Sequence, residues 1–192
     1  MSDIQLIVGL GNPGPEYAST RHNAGFWFID EWRRRQGFTF RGEAKFHGET
    51  AQCNVSGRDC RVFKPSTYMN HSGQAVAALA GFYRIPLPEI LVIHDDIDLP
   101  VGTVKLKRGG GHGGHNGLRD LISHLGGNDF HRLRIGVEHP GHRDDVTDYV
   151  LQRPPKQDRA LINDAIDDGL AVLPLVLEGD LEAAMQKLHS RE

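Results

Sequence analysis

The chain has 192 residues, 39% hydrophobic and 24% charged, with a net charge of -3. That length fits one domain spanning 1–192, large enough to bury a core without disulfide or metal staples. There is no apolar run near the roughly 18 residues of a spanning helix, and the mildly acidic balance argues against indiscriminate nucleic-acid binding.

Residues 4–10 are an apolar, branched run that reads as a buried first strand. A loop follows with Gly11, Pro13, Gly14 and Pro15, then Asn23 as the expected N-cap of a helix through Gln36, ended by Gly37. Residues 38–64 read as two or three short strands with Ser56-Gly57 as a turn. Residues 73–83 are Ala-rich and helical, stopped by Pro86 and Pro88. Residues 90–93 form another buried strand, ending at His94-Asp95-Asp96. Residues 101–107 read as a strand, 109–114 as a flexible glycine loop, Asn116–Leu125 as a helix stopped by Gly126-Gly127, and 132–137 as a strand.

From Pro154 the pattern is helical. Ile162, Ile166, Leu170, Leu173 and Leu177 form one apolar face, with a kink expected at Pro174, and 182–189 make a last short helix. Strands alternating with helices predict an α/β class: a single-domain three-layer fold with a twisted mixed β-sheet flanked by helices. The start, Met1-Ser2-Asp3, lacks the features of a signal peptide, so a cytoplasmic location is expected. Cys53 and Cys60 are too few for a disulfide framework, lack metal-type spacing, and read as reduced thiols.

The charge is uneven. Residues 101–143 hold seven Lys or Arg against three acids, and residues 144–192 hold five against eleven. Such a local basic face can bind phosphate while the whole chain stays acidic.

Two motifs are decoys. Gly9-Leu10-Gly11-Asn12-Pro13-Gly14 fits the dinucleotide pattern, but prolines interrupt it and a loop separates it from the helix that should hold a pyrophosphate. His112-Gly113-Gly114-His115, with His94, suggests zinc only weakly, since third and fourth ligands are unassigned. No G-x-S-x-G elbow supplies a serine nucleophile.

What remains is a constellation of His22, Asp95 and the amides of Asn12, Asn70 and Asn116, with Tyr17 nearby, all placed where strand ends and adjoining loops can meet. An imidazole with a carboxylate partner is a base poised near neutral pH, and the carboxylate fixes its tautomer. With no matching Ser or Cys, the nucleophile is expected to be water. Asparagines both donate and accept, so they can grip a peptide backbone or a developing oxyanion. The residues leave open whether Asn12, Asn70 or backbone amides form the oxyanion site.

These residues sit in ordered blocks over most of 6–141: Gly9 to Gly14, Thr20-Arg21-His22-Asn23-Ala24-Gly25, Lys64-Pro65-Ser66-Thr67-Tyr68-Met69-Asn70, Ser72-Gly73, His94-Asp95-Asp96, Asp98-Leu99-Pro100, Gly109 to Leu118 and Arg132-Leu133-Arg134-Ile135-Gly136. Together they resemble the bacterial-type peptidyl-tRNA hydrolase family. The resemblance implies a cofactor-free, metal-free monomer that hydrolyses the ester between a peptide and the terminal ribose of tRNA. In family terms His22 activates water, Asp95 supports its basic form and Asn12 helps to select N-blocked substrates. Tyr17, Tyr68, Asn70 and Asn116 fall where the family holds the peptidyl end and the 3′ terminus.

Lys105, Lys107, Arg108, Arg132 and Arg134 are the candidates for tRNA phosphate contacts, which position RNA without reading its sequence. The glycine run lets backbone approach a ligand and also suits a mobile gate. Two rival readings share the fold: a non-catalytic RNA-binding module, and a hydrolase of other N-acyl esters.

Overall fold

The computed structural model describes residues 3–190; the reading of the chain start at Met1 and Ser2 lies outside the described residues. Seven strands form one sheet: β1 (Leu6–Gly9), β2 (Arg41–Glu43), β3 (Gly48–Val55), β4 (Arg58–Pro65), β5 (Ile90–Asp96), β6 (Val104–Arg108) and β7 (His131–Gly136). Their spatial order is β2-β3-β4-β1-β5-β7-β6. The four central strands run parallel, and β2, β3 and β6 are antiparallel to their neighbours, so the sheet is mixed.

Six α-helices accompany it: α1 (Ala24–Gln36), α2 (Ser72–Phe82), α3 (Asn116–Leu125), α4 (Val146–Val150), α5 (Lys156–Leu177) and α6 (Leu181–His189). The pleat sends alternate side chains to opposite faces. In β1, Ile7 joins one core with Phe28 of α1, Ile162 and Ile166 of α5 and Leu188 of α6. Leu6 and Val8 join the other, with Val76 and Leu79 of α2 and Leu121 of α3. Hence helix, sheet and helix stack as the three layers the sequence predicts. Among the described residues no helix is long and apolar enough to cross a membrane.

Some local readings hold in the structure, and others shift for physical reasons. The region 38–64 holds three strands, and Ser56 and Gly57 both have positive φ (53° and 82°), as a two-residue hairpin turn requires. Asn23 does not cap α1 with its side chain. Its amide is spent on the loop before it, as described below. Helix α4 carried no periodic signal because it has five residues, little more than one turn. Pro174 lies inside α5, which continues to Leu177. Cys53 and Cys60 face each other across β3 and β4 as free thiols, and burial pushes Cys60 up to about 12.

Gly73 shows how closely the second helical layer packs. A Cβ there would lie 2.1 Å from the carbonyl oxygen of Asp120 in α3, and the Asp120 carboxylate accepts the amide hydrogens of Gly73 (2.8 Å) and Gln74 (3.3 Å) at the start of α2. The absence of a side chain at Gly73 is what lets α2 and α3 meet.

Candidate active site

Parallel strands β1 and β5 deliver their carboxyl ends side by side, with Gly9 in register with Ile93. Asn12 follows the first, and Asp95 stands one residue before the end of the second. A cavity of about 760 Å³ opens over these ends, within the size of ordinary ligand sites. Its lining includes Asn12, Tyr17, His22, Tyr68, Asn70, Asp95, Lys107, Asn116 and Arg134. The sequence-predicted set therefore converges, with two exceptions. Lys105 lines a separate recess with Asp168 and Leu188, and exposed Arg108 is held outside the cavity by Asp129 at 2.8 and 3.0 Å.

His22 and Asp95 are buried, at 8% and 2% exposure. Nδ1 of His22 lies 2.9 Å from Oδ2 and 3.0 Å from Oδ1 of Asp95. A carboxylate can only accept here, so Nδ1 carries the hydrogen and Nε2 keeps its lone pair. Burial opposes the imidazolium, but the charge of Asp95 and the hydrogen bond to it outweigh that cost and raise the His22 pKa above 6.5. Burial likewise works against the Asp95 carboxylate, yet His22 and His115 together hold its pKa far below the usual range.

His115 is the partner that sequence reading missed. Its Nδ1 accepts the amide hydrogens of Gly117 (3.1 Å) and Leu118 (3.2 Å), capping α3. Nε2 must therefore carry the proton, which it donates to Asp95 Oδ1 at 2.9 Å. In the sequence it stood out only by its spacing from His112, a weak zinc hint, and as one member of the block from Gly109 to Leu118, with no role attached. His22, Asp95 and His115 do bring three ligand-type atoms within 4.8 Å of one another. But the Nδ1 acceptor role leaves His115 Nε2 protonated, without the lone pair a metal would need. His94 packs edge-on against His115 at 5.2 Å and gives its Nδ1–H to the Asp95 carbonyl at 2.7 Å. Burial, then His115, push its pKa down to about 4, so it is neutral.

Asn12 is oriented from three directions. Its carboxamide oxygen accepts from the Met69 amide at 2.6 Å, its backbone N–H donates to Asn23 Oδ1 at 2.9 Å, and its carbonyl accepts from Asn23 Nδ2 at 3.0 Å. With its oxygen taken, Asn12 has its NH₂ left to offer a ligand. Asn116 is similar: its oxygen accepts from Arg119 at 3.1 Å. Tyr17 and Tyr68 meet edge to face at 6.1 Å, and Tyr68 is exposed. The Arg21 guanidinium donates to the Tyr149 carbonyl at 2.8 Å and lies over that ring at 3.7 Å, tying the His22 turn to α4. Val146, Thr147, Val150 and Leu151 at α4 add an apolar wall that the sequence did not reveal.

The cations divide by what holds them. Lys107 is exposed at the rim. Arg134 donates to Asp96 Oδ2 at 2.8 Å. Arg132 is 2% exposed, and its guanidinium is engaged by the carbonyls of Gly110 and Gly111.

A peptidyl-tRNA hydrolase family model matches residues 6–192. The peptidyl-tRNA hydrolase of Halorhodospira halophila is 58% identical over 97% of this chain and 96% of its own length. That of Pseudomonas paraeruginosa is 55% identical over the full length of both. A crystal structure of the Acinetobacter baumannii peptidyl-tRNA hydrolase superposes with a TM-score of 0.95 at 48% identity, covering 98% of this chain and 95% of the other. By sequence and by fold, the chain belongs to the peptidyl-tRNA hydrolase family.

Proposed function

We propose that this chain hydrolyses the ester joining a peptide, or an N-blocked aminoacyl group, to the 3′-terminal ribose of tRNA, with His22 as general base. Hydrolysis of peptidyl-tRNA is the family's function. The observation that carries the assignment of roles is the single unengaged ring nitrogen of His22: Asp95 takes Nδ1–H, and Nε2 is left basic in a residue lining the cavity. No serine or cysteine is found among the described residues of that lining.

Water bound at Nε2 loses its proton to the imidazole as its oxygen bonds to the ester carbonyl carbon. Asp95 stabilises the imidazolium that results. The carbonyl π electrons move onto oxygen, and an NH₂ of Asn12 or Asn116 is suited to donate to that oxyanion or to the adjoining peptide carbonyl. Collapse breaks the bond to the ribose oxygen, which takes the proton from His22 and leaves as the tRNA 3′ terminus.

The orientation of Asn12 also supports selection of N-blocked substrates. A blocked residue offers an amide carbonyl to the Asn12 NH₂, whereas a free α-ammonium would set donor against donor. Tyr17, Tyr68 and Asn70 border the peptidyl path, and Lys107 and Arg134 suit phosphates at its rim. The same reading has the enzyme working without metal or cofactor, as a monomer, in the cytoplasm where stranded peptidyl-tRNA arises. The protonated Nε2 of His115 supports the first of these.

The test is release of tRNA from N-acetyl-aminoacyl-tRNA by the wild type and by His22→Ala, with unblocked aminoacyl-tRNA as control. The wild type should release tRNA from the blocked substrate only, and the variant should lose about 10²–10⁴-fold. Wild-type protein that bound tRNA but released none would install the binding-module reading instead.

A further inference from the structure

The glycine loop between β6 and α3 carries His115 and Asn116 into the site, yet its own sequence gives it little stiffness. Gly109, Gly110, Gly113 and Gly114 all have positive φ (71°, 97°, 59° and 83°), conformations that glycine alone adopts freely and also leaves freely. The second half of the loop is tied internally. The amide of Gly114 donates to His112 Nδ1, and that of His115 to the His112 carbonyl, both at 2.9 Å. The stretch Gly110-Gly111 has no such bond among the described residues. It is held instead from beneath by Arg132, whose two terminal nitrogens each donate to one of the two carbonyls.

Arg132 is an unusual choice for phosphate binding. It is buried near the start of β7, with its guanidinium 4.6 Å from the Phe130 ring. Register pairs it with Lys107, and both line the cavity, but Lys107 is exposed to solvent while Arg132 is buried. Among the described residues it has no ion pair, so a buried charge is committed to two neutral loop carbonyls. A planar fork can span two adjacent carbonyls in one geometry, whereas an ammonium cannot fix both with the same precision.

We propose that Arg132 is a positioning residue for hydrolysis: its fork sets the glycine loop, and through that loop the His115–Asp95–His22 relay and Asn116. Its kinetic consequence rests on the hydrolytic reading above. The structural consequence, an ordered loop, does not.

The experiment compares wild type, Arg132→Lys and Arg132→Ala as full chains. Turnover of N-acetyl-aminoacyl-tRNA, affinity for deacylated tRNA and amide hydrogen exchange are measured on each. Arg132→Lys keeps the charge and should lose about 10- to 100-fold in kcat. Its KM and tRNA affinity should stay near the wild-type values, and exchange should quicken at 110–117 while β5 stays protected. Added methylguanidinium should restore part of the kcat of Arg132→Ala. Should the alanine variant not fold, Arg132→Lys alone decides. Arg132→Lys with wild-type kcat and loop protection would overturn the proposal. So would lost tRNA affinity with kcat intact, the mark of a phosphate contact. A wild type that released no tRNA would sink the hydrolytic reading, and the exchange comparison would still judge the latch.

Discussion

His115 donates its Nε2–H to Asp95 Oδ1 at 2.9 Å while its other ring nitrogen caps α3, so the carboxylate that serves His22 is itself anchored to a helix start. Asp95 is thus held on both sides by ring N–H donors. That fixes the direction in which it can hold His22.

The substitution Asp95→Asn should separate geometry from charge. The wild-type His22 pKa is raised above 6.5, and catalysis needs the neutral ring, so kcat/KM should fall with acid on a limb above pH 6.5. In the Asp95→Asn variant the attraction is gone and burial alone acts, moving that limb below pH 6.5. The introduced carboxamide NH₂ also favours the wrong His22 tautomer, so the plateau should drop by up to about 10⁴-fold. A pH–rate profile of both proteins checks this; an unshifted limb would refute the pairing.

Asn12→Asp keeps an oxygen for the Met69 amide but removes the NH₂. The fold should survive, and kcat/KM for N-acetyl-aminoacyl-tRNA should fall about 10²-fold or more. The preference for blocked over unblocked substrate should narrow. Parallel assays on the two substrates measure both effects.

Lys107→Ala should weaken tRNA binding and reduce the slope of log affinity against log salt by about 1, as loss of one phosphate contact does. Arg108→Ala should leave that slope alone, because Arg108 sits outside the cavity paired with Asp129. Salt titrations of deacylated tRNA binding distinguish the two.

Gly73→Ala should destabilise without touching the chemistry directly. Its Cβ would fall 2.1 Å from the Asp120 carbonyl, and backbone cannot yield as a side chain can. A cost of about 1–3 kcal/mol lowers Tm by roughly 2–12 °C in a domain of this size, readable by thermal unfolding.

Much of the fold was legible because its signals are local. Gly37 takes the left-handed conformation that ends α1, Gly126 does the same for α3, and α3 begins and ends where its sequence says. The run ending in His94-Asp95-Asp96 placed polar groups at a strand's carboxyl end before any partner was known. Local pattern is ambiguous where one side chain has two possible uses. Asn23 looks like a helix cap, and a cap is a local bond, but the loop at Asn12 claims it. Arg132, Arg108 and Lys107 look alike in a basic stretch, and only burial and partners separate a loop strut, a surface pair and a rim cation.

The sequence by itself determined the α/β class, the strand ends and the types of group available to the chemistry, since periodicity, turn residues and motifs are written along the chain. Only the tertiary structure decided how those groups pair. His22 and Asp95 lie 73 positions apart, and His115 reaches the same carboxylate from a third element. Which nitrogen of His22 is left basic depends on contacts between segments that no local pattern encodes.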